Sequence, residues 1–173
     1  MTVVPGDAAS LSACARTARE VSRRLEAEGS ALASATSAVG DDWTGRTSAT
    51  TRQAADGLTT AAATLAAQLD HVGQVLQDQA TDLADLVARE RTLRERGARA
   101  GLEVRDGRVA PAWGVSGTAD LDAARERETT RDLLQADLDL VAAQHTRRRD
   151  FVLEVLRDST TTLAEVSHVL RRG

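Results

Sequence analysis

Residues 45–96 read GRTSATTRQAADGLTTAAATLAAQLDHVGQVLQDQATDLADLVARERTLRER, and within them Ala55, Leu58, Ala62, Leu65, Leu69, Val72, Leu76, Leu83, Leu86 and Leu93 recur at steps near three and four. This spacing lays one apolar stripe along a helix. Gln79 and Glu90 are polar positions inside the stripe. The pattern predicts a single helix over about 45–96, roughly 75 Å long at 1.5 Å per residue, which needs cover along its whole length.

Two flanking segments supply that cover. Over about 7–39, Leu11, Cys14, Ala18, Val21, Leu25, Leu32, Ala35 and Val39 keep a similar alternation. Asp7 is placed to accept the free N–H groups of a first turn, and Gly40 to end the helix in a left-handed conformation. Gly29, after Glu28, interrupts the pattern and costs about 1 kcal/mol of helix propensity. Over about 118–170, Leu121, Ala124, Leu134, Leu138, Val141, Ala142, Val152, Val155, Leu156, Leu163, Val166 and Leu170 form a third stripe. Thr118 is its candidate cap, with Asp120 and Asp122 near the positive end of the dipole.

Short connections and a seven-residue repeat predict an all-α fold: an elongated, up-down-up, three-helix coiled-coil-like bundle forming one domain over 1–173. The first helix covers the near half of the second and the start of the third covers the far half. The end of the third helix then returns toward the turn at 41–45.

Between the second and third helices, at 97–117, the pattern changes. Leu102-Glu103-Val104-Arg105 and Arg108-Val109 alternate around Asp106-Gly107, a pair suited to a type I′ hairpin turn with positive φ at both central residues. A small β-hairpin insert is expected. Trp113 follows it, either sealing the open end of the bundle or offered to a partner. In both arrangements its truncation is expected to be the most costly in the insert.

Composition narrows the functional classes. The chain has 173 residues and 2% aromatic content, so its core is aliphatic. It contains no Ile, Lys, Asn or Tyr, a bias expected of a genome rich in G and C codons. A net charge of -4 and a pI near 5.4 argue against nucleic acid as the main partner. Arg147-Arg148-Arg149 reads as a solvated helix turn. Cys14 is the one cysteine, which excludes an internal disulfide, and its small apolar neighbours suggest a buried packing thiol. No segment has the apolar length of a membrane span, and residues 1–10 lack the blocks of a secretory signal, so synthesis in the cytoplasm is expected.

Catalytic arrangements are not apparent. His71, His145 and His168 are too far apart for an i, i+4 zinc pair, and His145 lies on the third seam as a hydrogen-bonded interior histidine. There is no phosphate loop or nucleophile elbow. The expectation is a non-enzymatic protein without cofactor or metal.

What remains is Asp41-Asp42-Trp43-Thr44-Gly45 between two Ala- and Leu-rich helices. Gly45 allows a sharp bend, Thr44 can cap the next helix, and Trp43 is thrown out at the turn. Over about 11–96 the arrangement resembles the WXG superfamily of type VII (ESX) secretion substrates, known from actinobacteria and related bacteria. Trp43 and Gly45 are the residues that match its motif.

The resemblance implies a helical hairpin that acts through protein partners: a WXG-like protein, a secretion chaperone, a toxin, or a homodimer. It extends more loosely to longer PPE-type proteins and the helical N-terminal regions of secreted toxins. It also implies export without a cleaved signal. The usual Tyr-x-x-x-Asp/Glu element is missing because the chain has no Tyr, so export would rely on a partner that carries it. The resemblance and the bundle make Trp43, Gly45 and Trp113 the candidate partner-binding residues. The alternative is a cytosolic coiled-coil adaptor or chaperone, not itself secreted, with Trp43 as a buried end plug.

Overall fold

The computed structural model describes residues 2–39, 45–113 and 121–172. Among them are three helices, α1 (Ala8–Val39), α2 (Arg46–Arg99) and α3 (Leu121–Arg172), with strands β1 (Leu102–Arg105) and β2 (Arg108–Pro111) between the second and third. A helical bundle with a hairpin insert is thus the observed fold. Gly40, Trp43, Thr44, Thr118 and Asp120, to which stops, caps and contacts were assigned above, lie outside the described residues.

Packing divides the chain into two compact units. The first contains α1, the N-terminal part of α2 and the C-terminal part of α3. Its α1 and α2 run antiparallel and meet through small side chains. Ala15 and Ser22 are each 1% exposed, the Ser22 hydroxyl donates to the Ala66 carbonyl at 2.8 Å, and a Cβ built on Gly29 would stand 3.3 Å from Cβ of Ala62. The approach is closest at Gly73, where a Cβ would lie 2.6 Å from Cγ of Arg19 and 3.0 Å from the Ala15 carbonyl oxygen.

Two expectations change here. Cys14 is exposed, not a buried thiol, and Val21 and Val39 are 40% and 54% exposed. The line of closest approach runs one residue further on, through Ala15, Ser22 and Gly29, with Leu11, Leu25 and Leu32 half-buried beside it. Size selects the register, because two backbones come close only where side chains are small. Gly29 is therefore not an interruption but part of this seam.

The second unit contains the N-terminal segment, the rest of α2, the hairpin and α3 up to Phe151. Its core is aliphatic, as composition requires: Leu83, Leu86 and Leu93 of α2, Leu134, Leu138 and Val141 of α3, and Leu102 and Val109 of the hairpin are all buried. Antiparallel pairing of α2 with α3 is recorded along the flank by Asp82 with Arg148, Arg89 with Gln144, and Arg96 with Asp137.

The hairpin is antiparallel, pairing Leu102 with Pro111 and Arg105 with Arg108. Its turn has φ of 49° at Asp106 and 78° at Gly107, the two positive values of a type I′ turn. A two-stranded ribbon is marginal alone, and side chains of both helices secure this one. Arg94 donates to the Val104 carbonyl at 3.2 Å, while Gln135 accepts from Val109 N–H at 2.8 Å and donates to the Gly107 carbonyl at 3.1 Å.

Candidate interaction sites

The first site is Gly45, directly before α2. Gly45 has φ +117°, and its carbonyl accepts from the Ala49 N–H and the Ser48 hydroxyl as α2 begins. A Cβ here would meet no atom within 4 Å, so the demand for glycine comes from the backbone alone. Gly45→Ala is expected to destabilise by about 1–2 kcal/mol in urea unfolding, whereas an unchanged midpoint would show the turn relaxing to negative φ. Beside this end of the helices, Thr36, Arg52, Asp56 and Thr60 line a shallow polar groove.

The second site is Trp113, which follows β2 and is 93% exposed. This corrects the expectation that its truncation is the costliest in the insert. Leu102 and Val109, 2% and 8% exposed, do the sealing instead. Val109 faces the core from β2, and the indole, two residues beyond Pro111 at the strand's end, faces solvent. Gly45 and Trp113 belong to different units, so each stands as a site by itself.

A polar node unmatched by any motif lies in the unit that holds the hairpin. Glu90, 3% exposed, accepts from the N–H groups of Val3 at 2.9 Å and Val4 at 3.0 Å, and pairs with Arg94 at 2.8 Å. Burial by itself would raise the Glu90 carboxyl, but these donors outweigh it and hold the group below its ordinary value. Pro5 and Gly6 continue the docked segment. His145, 8% exposed, donates from Nε2 to the Pro5 carbonyl at 3.1 Å, and Gly6, at φ +137°, packs where a Cβ would lie 2.9 Å from Leu83. His145 is thus the interior, hydrogen-bonded histidine that its seam position predicts. Glu90 was visible in the sequence only as a polar break in an apolar stripe. Its partners at Val3 and Val4 lie far away in the chain and carry no local signal.

Among the described residues no group of His, Cys, Asp and Glu is placed to hold a metal ion, and no helix is long and apolar enough to cross a membrane. Arg148 is paired with Asp82, and Arg149 with Asp150 at 2.9 Å, so this basic run is a helix surface with neighbouring acids.

Comparison with known proteins matched one family model. No curated protein and no solved structure matched the chain. The model, described as WXG100, proteins of 100 residues with WXG, matches residues 6–88, which take in α1, the sequence Trp43-Thr44-Gly45 and most of α2. That family implies a helical protein associated with type VII secretion. Over residues 6–88, where two antiparallel helices pack through small residues, the chain is therefore similar to the WXG superfamily.

Proposed function

We propose that this protein is a non-enzymatic docking module of type VII secretion, recognising protein partners through Trp113 and through the Trp43-Thr44-Gly45 motif. The observation that carries the reading is Trp113, a large ring left 93% exposed beside a hairpin that is otherwise sealed and pinned. An indole offers about 200 Å² of contact area, so its burial by a partner would supply roughly 5 kcal/mol of gross hydrophobic energy. Interfaces concentrate binding in such residues. The hairpin's fixed turn and its two helix contacts present the ring on a rigid base, which lowers the entropic cost of docking. On this reading the module needs no cofactor, and its export runs with a partner that supplies the missing tyrosine element.

Trp113→Ala is expected to leave thermal stability within about 0.5 kcal/mol, as for an ordinary surface position. The same change is expected to weaken capture of a secretion partner by about 30-fold, the effect of losing one anchor of roughly 2 kcal/mol. In a Trp43→Phe background, Trp113 is the remaining tryptophan. Its emission should be red and readily quenched by acrylamide in the isolated chain, then blue-shifted and protected in the complex purified from the native host. Equal quenching in both states would remove Trp113 from the docking surface.

A further inference from the structure

Residues 3–6 are held in the unit that contains the hairpin by contacts that read main chain more than side chains. Glu90 accepts from the N–H groups of Val3 and Val4, His145 donates to the Pro5 carbonyl, and Gly6 packs against Leu83. Val4, 3% exposed, is the one buried side chain among residues 2–7. The segment has no regular secondary structure, and α1 begins only at Ala8. Pro5 helps to keep Val4 extended, because a residue before proline is turned away from the helical region. A buried carboxylate, a buried imidazole and an aliphatic side chain thus converge on four residues of irregular chain.

This strap is held less firmly than the helices beneath it. One buried side chain and these hydrogen bonds resist its opening, and segments with few buried apolar contacts open at free energies well below that of global unfolding. Opening strips Glu90 of two donors and His145 of its acceptor, which favours refilling by any chain that offers the same groups. The groups are specific. They are two consecutive N–H donors, the second on an aliphatic residue that fits the site of Val4, then a carbonyl acceptor, then a residue free to take the +137° φ of Gly6. The strap itself therefore states the chemistry of an alternative occupant: an uncharged, extended segment of two aliphatic residues followed by Pro-Gly.

We propose that the groove at Leu83, Glu90 and His145 is a peptide-binding site that residues 3–6 cover from within the chain, and that a partner segment of this aliphatic-aliphatic-Pro-Gly type enters it when they leave. The strap and the incoming segment exclude each other. Residues 3–6 act as a built-in competitor, with an effective concentration in the millimolar range set by their direct connection to α1. The site is independent of partner docking at Trp113, where a side chain is offered, whereas this groove reads the main chain of what enters it.

A labelled Thr-Val-Val-Pro-Gly peptide, titrated into the full chain and followed by fluorescence anisotropy, tests this. Gly6→Val is the releasing variant, because a β-branched residue does not hold φ +137° and its Cβ would stand 2.9 Å from Leu83. Circular dichroism should show its helix content unchanged. The Gly6→Val chain should bind the peptide at least about 100-fold more tightly than wild type, whose own strap competes. Adding Glu90→Gln should weaken that binding about tenfold, and so should methylating the peptide's two valine nitrogens, which removes the donors and leaves the side chains. Wild type gives a second readout that needs no variant: millimolar peptide should speed hydrogen exchange at the Val3 and Val4 N–H groups while α2 and α3 stay protected. A Gly6→Val chain that ignores the peptide, equal binding of the N-methylated peptide, or Val3 and Val4 amides indifferent to excess peptide would each overturn the proposal.

Discussion

Replacing Glu90 with alanine is expected to lower the stability of the unit that holds the hairpin by about 3 kcal/mol, among the largest effects of any single substitution in this chain. The carboxylate joins three parts of the molecule. It holds Val3 and Val4 by their N–H groups, it belongs to α2, and its partner Arg94 also binds the Val104 carbonyl of β1. Alanine strands the two N–H groups and releases Arg94. Glu90→Gln keeps the shape and one acceptor but loses the charge, so its cost should be about half as large. The node also makes a pH prediction. A carboxyl held below its ordinary value of about 4.5 stabilises the fold fully above that pH, and the contribution is lost as pH falls through the lower folded value. Wild type should therefore lose stability below about pH 4.5 more steeply than Glu90→Gln. Urea unfolding gives the stability difference, and hydrogen exchange at Val3 and Val4 reports the docking directly. Equal protection of these amides in wild type and Glu90→Ala would contradict this role.

Gly73→Val is the second large effect, expected at about 2 kcal/mol of destabilisation. Helix propensity alone predicts a slight gain, a few tenths of a kcal/mol, because valine is a better helix former than glycine. Packing outweighs it. A Cβ at Gly73 would fall 2.6 Å from the Arg19 stem and 3.0 Å from the backbone oxygen of Ala15, and a backbone atom moves only if the helix moves. Separating α1 from α2 would also strain the contacts that follow along the seam, including Ser22 to the Ala66 carbonyl at 2.8 Å. Gly57 lies on the same helix with nothing within 4 Å of a built Cβ, so Gly57→Val is the matched control and should be neutral or slightly stabilising. Comparing the two in thermal unfolding separates packing from propensity, and equal shifts would mean that the seam is looser than these distances state.

Sequence periodicity reveals elements more readily than the contacts between them. The alternation from Ala55 to Leu93 marks α2, and Asp106-Gly107 marks the hairpin turn, because both signals are local: a helical period and a φ requirement. The α1 register is less legible. Scoring residues by hydrophobicity favours Cys14 and Val21, whereas the seam needs residues small enough for backbones to approach, and that criterion selects Ala15, Ser22 and Gly29. Trp113 misleads for a related reason, since its size suggests burial while Leu102 and Val109 already occupy the hairpin's buried positions and the indole is 93% exposed. The docked N-terminal segment is the least legible part. Val3 and Val4 reach Glu90 across most of the first half of the chain, and no pattern near either end announces the pairing.

Quantifying the full-length protein in cells and in culture medium of its native host, with the type VII apparatus intact or inactivated, tests the secretion-linked role most directly. The account predicts that the protein is found outside the cell only when the apparatus works. It also predicts that Trp113→Ala lowers the secreted amount without changing the total made. Retention of all the protein inside cells whose apparatus is active would contradict it.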